Sequence, residues 1–214
     1  NATKFACEVP YKTMTLCYEC MEVAKAMAEI GNPNSVTDAG VGALAASVIG
    51  FYASLFKDNP PIFCVVEPDK APCIYESVKA NDGNPHNITG DLDTIMAGLA
   101  CGDPSPIAWD ILHSCADVFI KVPDYIAARG MRMYSCPLHG DPFIISGESG
   151  AVTMGALYTI LTEEDNSDLK EALKLDKDSK VLLVNTEGNT DPVHFRQIIW
   201  DGRNPVPKEY WTNL

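Results

Sequence analysis

A glycine-containing turn near residue 40 has the residue types that bind an anion. Gly40 and Gly42 follow a β-branched stretch at 35–37 and precede an apolar, alanine-rich stretch that reaches residue 56. This order predicts a strand, a tight turn and the N-terminus of a helix. Glycines leave the backbone N–H groups of such a turn accessible, and the helix dipole favours negative charge there. The turn therefore predicts a phosphate site, although strand–turn–helix junctions also use glycine for geometric reasons alone.

Two further glycine-bearing turns follow apolar runs that predict strands. One turn follows 143–145, and the other follows 180–184. In an open α/β sheet, ligands bind at the carboxyl ends of parallel strands, which share one edge of the sheet. We therefore expect Thr186 to lie near Gly42 in one pocket. The alternative is that Thr186 is a structural hydroxyl and that 190–192 only caps a terminal helix.

Strand and helix patterns alternate along the chain. Continuous apolar runs predict buried strands, and apolar positions at helical spacing predict helices. The predicted strands are 35–37, 62–66, 117–122, 143–145 and 180–184, and the predicted helices are 14–30, 41–56, 72–80, 107–113, 123–133, 146–161 and 168–175. This alternation predicts an α/β fold with a mainly parallel sheet and flanking helices. The glycine- and proline-containing stretch 90–105 has no clean period, which predicts a long functional loop.

Composition and charge exclude some partners. The chain has 214 residues, of which 46% are hydrophobic and 21% charged, a composition that can bury a core. Its net charge of -13 at pH 7 argues against nucleic acid or an anionic membrane as a partner. The uncharged stretch 39–56 is long enough to raise the question of a transmembrane helix. Its small residues and the preceding turn instead favour a helix packed on a sheet.

The cysteines indicate a reducing compartment. Several of the eight lie in apolar runs, as Cys64 does, which favours small buried side chains over a disulfide framework. We therefore expect a cytoplasmic protein. Cys17 and Cys20 have the spacing of a metal or redox pair, but no second such pair or nearby histidine completes it. The sequence therefore predicts no metal site.

Eight strings of residues carry a resemblance to a known family. They are AGVG at 39–42, VEP at 66–68, KANDG at 79–83, TGD at 89–91, DTIMAGLACG at 93–102, ISGESGA at 145–151, TEG at 186–188 and TDP at 190–192. In these strings and their order the chain resembles the diaminopropionate ammonia-lyases. These are fold type II pyridoxal-phosphate enzymes, similar to the tryptophan synthase β-subunit. The resemblance implies the large, cofactor-binding domain of that fold.

The resemblance also implies roles for particular residues around pyridoxal 5'-phosphate. Thr186 would face the pyridine nitrogen, Glu148 and Ser149 would form part of the pocket wall, and the loop from Asp93 to Gly98 would lie beside the cofactor ring. The phosphate cup would consist of Gly40, Val41, Gly42, Ala43 and Leu44. Structural alternatives stay open: a strand-end hydroxyl for Thr186, a helix N-terminal carboxylate for Glu148 and a helix cap at Asp93.

The chain departs from the family in two respects. Asp38 stands where the family usually carries a neutral side chain, and its carboxylate would repel a phosphate unless it points away. The family's cofactor-binding lysine and catalytic aspartate belong to an N-terminal segment that matches nothing in this sequence. We therefore expect residues 1–214 to form a single incomplete unit, the C-terminal portion of a lyase without catalytic residues of its own. Alone, that unit should be inactive.

The implied activity is conversion of the small amino acid 2,3-diaminopropionate to pyruvate and ammonia, by removal of the α-proton and elimination of the β-amine. A missing N-terminal half or a homodimer partner would complete the enzyme. The alternative is a non-catalytic subunit that keeps the fold and has a binding or scaffold role. A generic nucleotide-binding domain is less favoured, because prolines 60 and 61 stand where an acidic residue would follow the glycine turn.

Overall fold

A computed structural model describes residues 41–211 of the chain. The strands are β1 (Cys64–Pro68) and β2 (Val118–Val122). The helices are α1 (Ala43–Leu55), α2 (Cys73–Ala80), α3 (Pro106–Cys115), α4 (Asp124–Ser135), α5 (Glu148–Thr162), α6 (Ser167–Ala172) and α7 (Pro192–Ile199). The predicted helix at 14–30, the predicted strand at 35–37, Cys17, Cys20, Asp38 and Gly40 lie outside the described residues.

The two strands pair in parallel, as predicted. Cys64 lies opposite Val118, and the register continues to Pro68 opposite Val122. Consecutive apolar residues of a strand point to opposite faces of the sheet, so both faces of the pair can be covered by helices. The chain between the strands contains α2 and α3, which is the crossover that a parallel pair requires. The α/β architecture with flanking helices is therefore confirmed.

The core is built on both sides of this strand pair. On one side, Ile49 of α1 and Leu112 of α3 belong to a buried apolar cluster that includes Val65 of β1. On the other side, Ile120 of β2 packs with Val152 of α5 in a second cluster. Helix α1 therefore packs one face against the strand pair, as predicted for the uncharged stretch. Within residues 41–211, no helix is long and apolar enough to cross a membrane.

Helices α4 and α5 approach each other more closely than ordinary side chains would allow. A Cβ atom added at Gly130 would overlap the carbonyl oxygen of Ala151, and one added at Gly155 would overlap the carbonyl oxygen of Ile126. Both glycines therefore allow direct backbone contact between the helices. This contact fixes α5, and with it the N-terminal end of α5, where Glu148 and Ser149 lie.

The predicted strands at 143–145 and 180–184 are wrong. Both segments are irregular in the structure. Phe143 and Leu182 are 59% and 64% exposed, so their apolar side chains do not contribute to the core. A strand requires a neighbouring strand for its backbone hydrogen bonds, and an apolar run does not supply one. Helix α7 was not predicted from apolar spacing and corresponds to the terminal helix that the alternative for residues 190–192 implied.

Candidate functional site

The glycine turn begins α1 as predicted. Gly42 is the N-cap residue, with φ at +95° in the left-handed region, and its carbonyl accepts a hydrogen bond of 2.7 Å from the Ala46 N–H. This backbone conformation favours glycine, and a Cβ atom at Gly42 would also lie 2.9 Å from Leu112 Cδ1, which would have to shift. The first N–H groups of a helix have no partner within the helix. Because the first turn of α1 contains no acidic residue, these donors suit an anion.

The predicted loop at 90–105 connects this turn to a second group of predicted residues. At its end, Ser105 N–H donates to the carbonyl of Val41 over 3.2 Å. In its middle, Gly98 N–H donates to Ser149 Oγ over 3.1 Å. Apart from one short 3₁₀ turn, Ala97–Leu99, and an isolated β-bridge between Pro104 and Val41, the loop is irregular, as its sequence predicts. It thus spans from the start of α1 to the start of α5.

Asp93 lies on the exposed outer part of this loop. Its N–H donates to Asp91 Oδ1 over 3.1 Å. The neighbouring Thr94 donates to the carboxylate of Asp124 on α4, which ties the loop to the core. The 3₁₀ turn that follows begins after Met96, so Asp93 does not cap it.

The start of α5 is crowded with acidic groups. Glu148 is the first residue of α5 and is only 8% exposed. Burial raises the pKa of its carboxyl, and the nearby negative charge of Glu187 also raises it. Glu187 itself accepts a hydrogen bond of 2.8 Å from the Ser149 N–H. Glu148 is therefore a helix N-terminal carboxylate, which is compatible with either of its predicted roles.

Thr186 is exposed, and both of its neighbours bind the segment that leads into α5. Asn185 Oδ1 accepts a hydrogen bond of 2.8 Å from Ser146 Oγ, and the Glu187 carbonyl accepts one of 3.0 Å from the Gly147 N–H. The structure thus brings the surroundings of Gly98, Ser149 and Thr186 together. That Thr186 shares a pocket with Gly42 stays a prediction. Asn185 and Glu187 were missed, although Glu187 lies within the TEG string.

Part of the structural alternative for this region is correct. Asp191 caps α7, because its Oδ1 accepts hydrogen bonds of 3.1 Å from the N–H groups of Val193 and His194. The side chain of His194 also contacts the Asp191 carboxylate. Asp191 lies at the end of the loop that contains Thr186, so its capping of α7 does not decide the role of Thr186.

A second buried carboxylate that sequence reasoning missed lies at the end of β1. Glu67 Oε1 accepts from the Ile74 N–H over 3.0 Å, and Oε2 accepts from the Tyr75 N–H over 2.7 Å. Glu67 therefore caps the N-terminus of α2. Burial raises its pKa to about 7. Burial, with the adjacent Glu67 charge, also raises the pKa of the Cys73 thiol to about 12, which makes this cysteine a poor nucleophile.

The described part of the chain also contains a cavity away from the predicted residues. A cavity of about 220 Å³ is lined by Lys121, Tyr125, Thr159, Glu163 and Tyr210, at the opposite end of α5 from Ser149. It is therefore separate from the predicted residues. Within residues 41–211, no group of three or more His, Cys, Asp or Glu side chains could hold a metal ion. The cysteines at 64, 73, 101, 115 and 136 are free thiols.

Comparisons with known proteins identify a family and several similar chains. The sequence profile of the family described as pyridoxal-phosphate dependent enzyme matches residues 11–187. Diaminopropionate ammonia-lyase from Salmonella typhimurium is 43% identical over 195 residues, covering 89% of this chain and 48% of the relative. The lyase of the same name from Escherichia coli is 46% identical over 188 residues, covering 86% of this chain and 46% of the relative.

A solved structure is also similar. The holo diaminopropionate ammonia lyase from Escherichia coli superposes with a TM-score of 0.71 at 44% identity, covering 78% of this chain and 41% of that one. The chain spans about half the length of the curated relatives it matches. The profile match at residues 11–187 includes the start of α1, the 90–105 loop and the start of α5.

Proposed function

Because the chain belongs to the family of pyridoxal-phosphate dependent enzymes, we propose that it forms the cofactor-binding part of a carbon–nitrogen lyase. The reaction would convert 2,3-diaminopropionate to pyruvate and ammonia. The observation that carries this proposal is the 46% identity over 188 residues to the Escherichia coli diaminopropionate ammonia-lyase. Since the chain spans about half of that relative, residues beyond those matched would complete the active site.

The residues at the start of α1 fit the phosphate of the cofactor. The N–H groups of Val41, Gly42, Ala43 and Leu44, with Gly40 beyond the described residues, would hold it. Their donors meet no acidic side chain in the first turn of the helix. A Cβ atom at Gly42 would crowd Leu112, so a larger residue would disturb both the turn and its packing.

Other predicted residues would hold the remainder of the cofactor. Asp93, Gly98, Glu148 and Ser149 would line the pocket, and the hydroxyl of Thr186 would face the pyridine nitrogen. A neutral hydroxyl at this position would leave that nitrogen unprotonated, which would suit elimination. Bound pyridoxal phosphate supplies the electron sink for loss of the α-proton. The protein residues would bind and orient the cofactor and exclude water from it.

The proposal includes partners and location. Residues 1–214 would act as one unit of the large domain, completed by the family's N-terminal half or by a second copy of the chain. The substrate would be a small amino acid, and the location would be the cytoplasm, in line with the free thiols of the described cysteines. A non-catalytic binding or scaffold subunit is the alternative, since no lysine of this sequence lies in a string that matches the family's cofactor-binding lysine.

The phosphate site is tested by placing a negative charge beside it. Leu44 is 55% exposed in the first turn of α1, and Leu55 is 57% exposed at the other end of the same helix. Leu44→Asp should weaken binding of pyridoxal phosphate and of inorganic phosphate at least about tenfold, because like charges a few ångströms apart near a protein surface repel by several kcal/mol. The matched variant Leu55→Asp should bind as the unsubstituted chain does.

The measurement is a titration followed by cofactor absorbance, with inorganic phosphate as competitor. An aspartate in the first helical turn favours the helix, so Leu44→Asp should remain folded. Equal affinities of the two variants would contradict the phosphate site. Substitution of Gly42 by Asp should also abolish binding, but it strains a left-handed backbone and crowds Leu112, so it tests the site less cleanly.

The lyase proposal and its alternative are separated by complementation. The chain is mixed with a polypeptide that carries the N-terminal half of the Escherichia coli relative, and pyruvate and ammonia are measured with diaminopropionate as substrate. We expect product from the mixture above a cofactor-only control and none from this chain alone. A mixture that forms a complex and binds cofactor without product would favour the non-catalytic alternative.

A further inference from the structure

Thr186 lies between two side chains that bind the same segment of the protein. On one side, Asn185 accepts a hydrogen bond from Ser146 Oγ over 2.8 Å, and its Nδ2 donates to the Ile145 carbonyl over 3.2 Å. On the other side, Glu187 Oε2 accepts from the Ser149 N–H over 2.8 Å. The chain is therefore tied to the start of α5 immediately before and immediately after Thr186.

Two glycines make this close approach possible. A Cβ atom at Gly147 would lie 2.5 Å from Glu187 Cδ, and one at Gly150 would overlap Asn185 Oδ1. The backbone also takes part, because Gly147 N–H donates to the Glu187 carbonyl over 3.0 Å. The glycines of the SGESG segment thus accommodate the side chains on either side of Thr186.

The segment around Thr186 has no regular secondary structure to hold it. Within the described part of the chain, residues 180–189 belong to no helix or strand, and Thr186 is exposed. The start of α5 is the opposite case, because the close contact of α5 with α4 at Gly155 fixes it. The bonds from Asn185 and Glu187 therefore attach an irregular segment to a rigid one.

We infer that Asn185 and Glu187 are positioning residues, which hold the Thr186 hydroxyl in a fixed place relative to the start of α5. This inference rests on the proposed function, in which Thr186 faces the pyridine nitrogen of the cofactor. Glu187 also accepts a hydrogen bond of 3.2 Å from Thr190 Oγ1, which closes the loop behind Thr186. The two residues contribute to cofactor binding through Thr186 and do not contact the cofactor.

The test compares substitutions that remove the bonds with substitutions that keep them. Glu187→Ala and Asn185→Ala remove the bonds. Glu187→Gln keeps an acceptor for the Ser149 N–H and a polar group for Thr190. Asn189→Ala is the matched control, since Asn189 is exposed in the same loop. The readouts are the affinity for pyridoxal phosphate, the absorbance spectrum of the bound cofactor, and amide hydrogen exchange of the cofactor-free chain.

We expect Glu187→Ala and Asn185→Ala each to weaken cofactor binding about three- to tenfold, the effect of a lost hydrogen bond, and to shift the cofactor spectrum as Thr186→Ala does. Glu187→Gln and Asn189→Ala should stay within about twofold of the unsubstituted chain. Without cofactor, amide exchange at Ser149 should accelerate in Glu187→Ala and stay unchanged in Glu187→Gln and Asn189→Ala, because the Ser149 N–H bonds the Glu187 side chain.

A double-mutant cycle decides whether Glu187 acts through Thr186. In a Thr186→Ala background, Glu187→Ala should weaken binding no further. Additive losses, or a cofactor affinity and spectrum unchanged by Glu187→Ala and Asn185→Ala, would overturn the inference and leave the proposed function intact. No cofactor binding by the unsubstituted chain would overturn both. Unchanged exchange at Ser149 in Glu187→Ala would overturn the inference, because it would mean that the Glu187 side chain does not bond the start of α5.

Discussion

The starts of α1 and α5 look alike in sequence and differ in what surrounds them. Each helix begins after a glycine, Gly42 for α1 and Gly147 for α5. The first turn of α1 contains no acidic residue, whereas the start of α5 contains Glu148 and receives the carboxylate of Glu187. A carboxylate from elsewhere in the chain already satisfies the anion-binding end of α5. Of these two helices, only α1 therefore has N–H donors at its start that are free of a carboxylate and can bind an external phosphate.

Two further helix starts extend this comparison. The buried Glu67 carboxylate caps α2, and the Ser105 hydroxyl caps α3 by accepting from the Ala108 N–H over 3.4 Å. Helices α2 and α5 are thus capped by a carboxylate from another element. Helix α3 is capped by the neutral hydroxyl of its own N-cap residue, and α1 has no acidic cap. Charged caps should make stability depend on pH, and the neutral cap should not.

The largest expected effect comes from separating α5 from α4. Gly155→Ala should lower the free energy of unfolding by at least about 3 kcal/mol, because its Cβ would overlap the Ile126 backbone, which cannot move aside. Gly50→Ala is the matched control in α1, where the added Cβ would lie 3.4 Å from Ile111 Cγ2. It should be neutral or stabilising by up to about 1 kcal/mol. Urea denaturation measures both, and equal losses would contradict the backbone contact.

The next effect concerns the charged cap of α2. The pKa of Glu67 is raised from 4.5 to about 7, so the folded state holds a proton that the unfolded state releases between these pH values. The free energy of unfolding should therefore fall as pH rises through this window, by about 3 kcal/mol in total from this group.

Glu67→Gln isolates this contribution, since glutamine does not titrate. The difference in free energy of unfolding between Glu67→Gln and the unsubstituted chain should change between pH 4.5 and about 7 and level off outside that range. Glu148, whose pKa burial also raises, is present in both proteins and cancels in the difference. A constant difference across the window would mean that Glu67 is not held in the environment described.

The smallest effect concerns the neutral cap of α3. Ser105→Ala should cost about 1 kcal/mol, the usual contribution of an N-cap hydroxyl, without any dependence on pH. Ser114→Ala, at an exposed position near the end of the same helix, should change stability little. Thermal unfolding at pH 5 and pH 8 measures both variants. A pH-dependent loss at Ser105 would remove the distinction between charged and neutral caps.

Local sequence patterns correctly predicted two kinds of element: strands that are covered by helices on both faces, and a turn whose backbone favours glycine. The apolar run 62–66 overlaps the parallel strand Cys64–Pro68, and the run 117–122 contains its partner Val118–Val122. The glycine turn before Ala43 also formed as predicted, because only glycine adopts the left-handed backbone of Gly42 without strain. The motif strings identified the family, since long strings in a fixed order rarely arise by chance.

The tertiary structure alone decided which carboxylate lies at which helix start. Glu67 and Glu187 carry no periodic signal, and their helix partners are set by how β1 and the 185–187 segment pack. It also decided that the apolar runs 143–145 and 180–184 are irregular, although they have the composition of strands. The physical reason is the same in both cases. Hydrophobic periodicity is a property of neighbouring residues, whereas a hydrogen-bond partner is a property of whatever the fold places opposite.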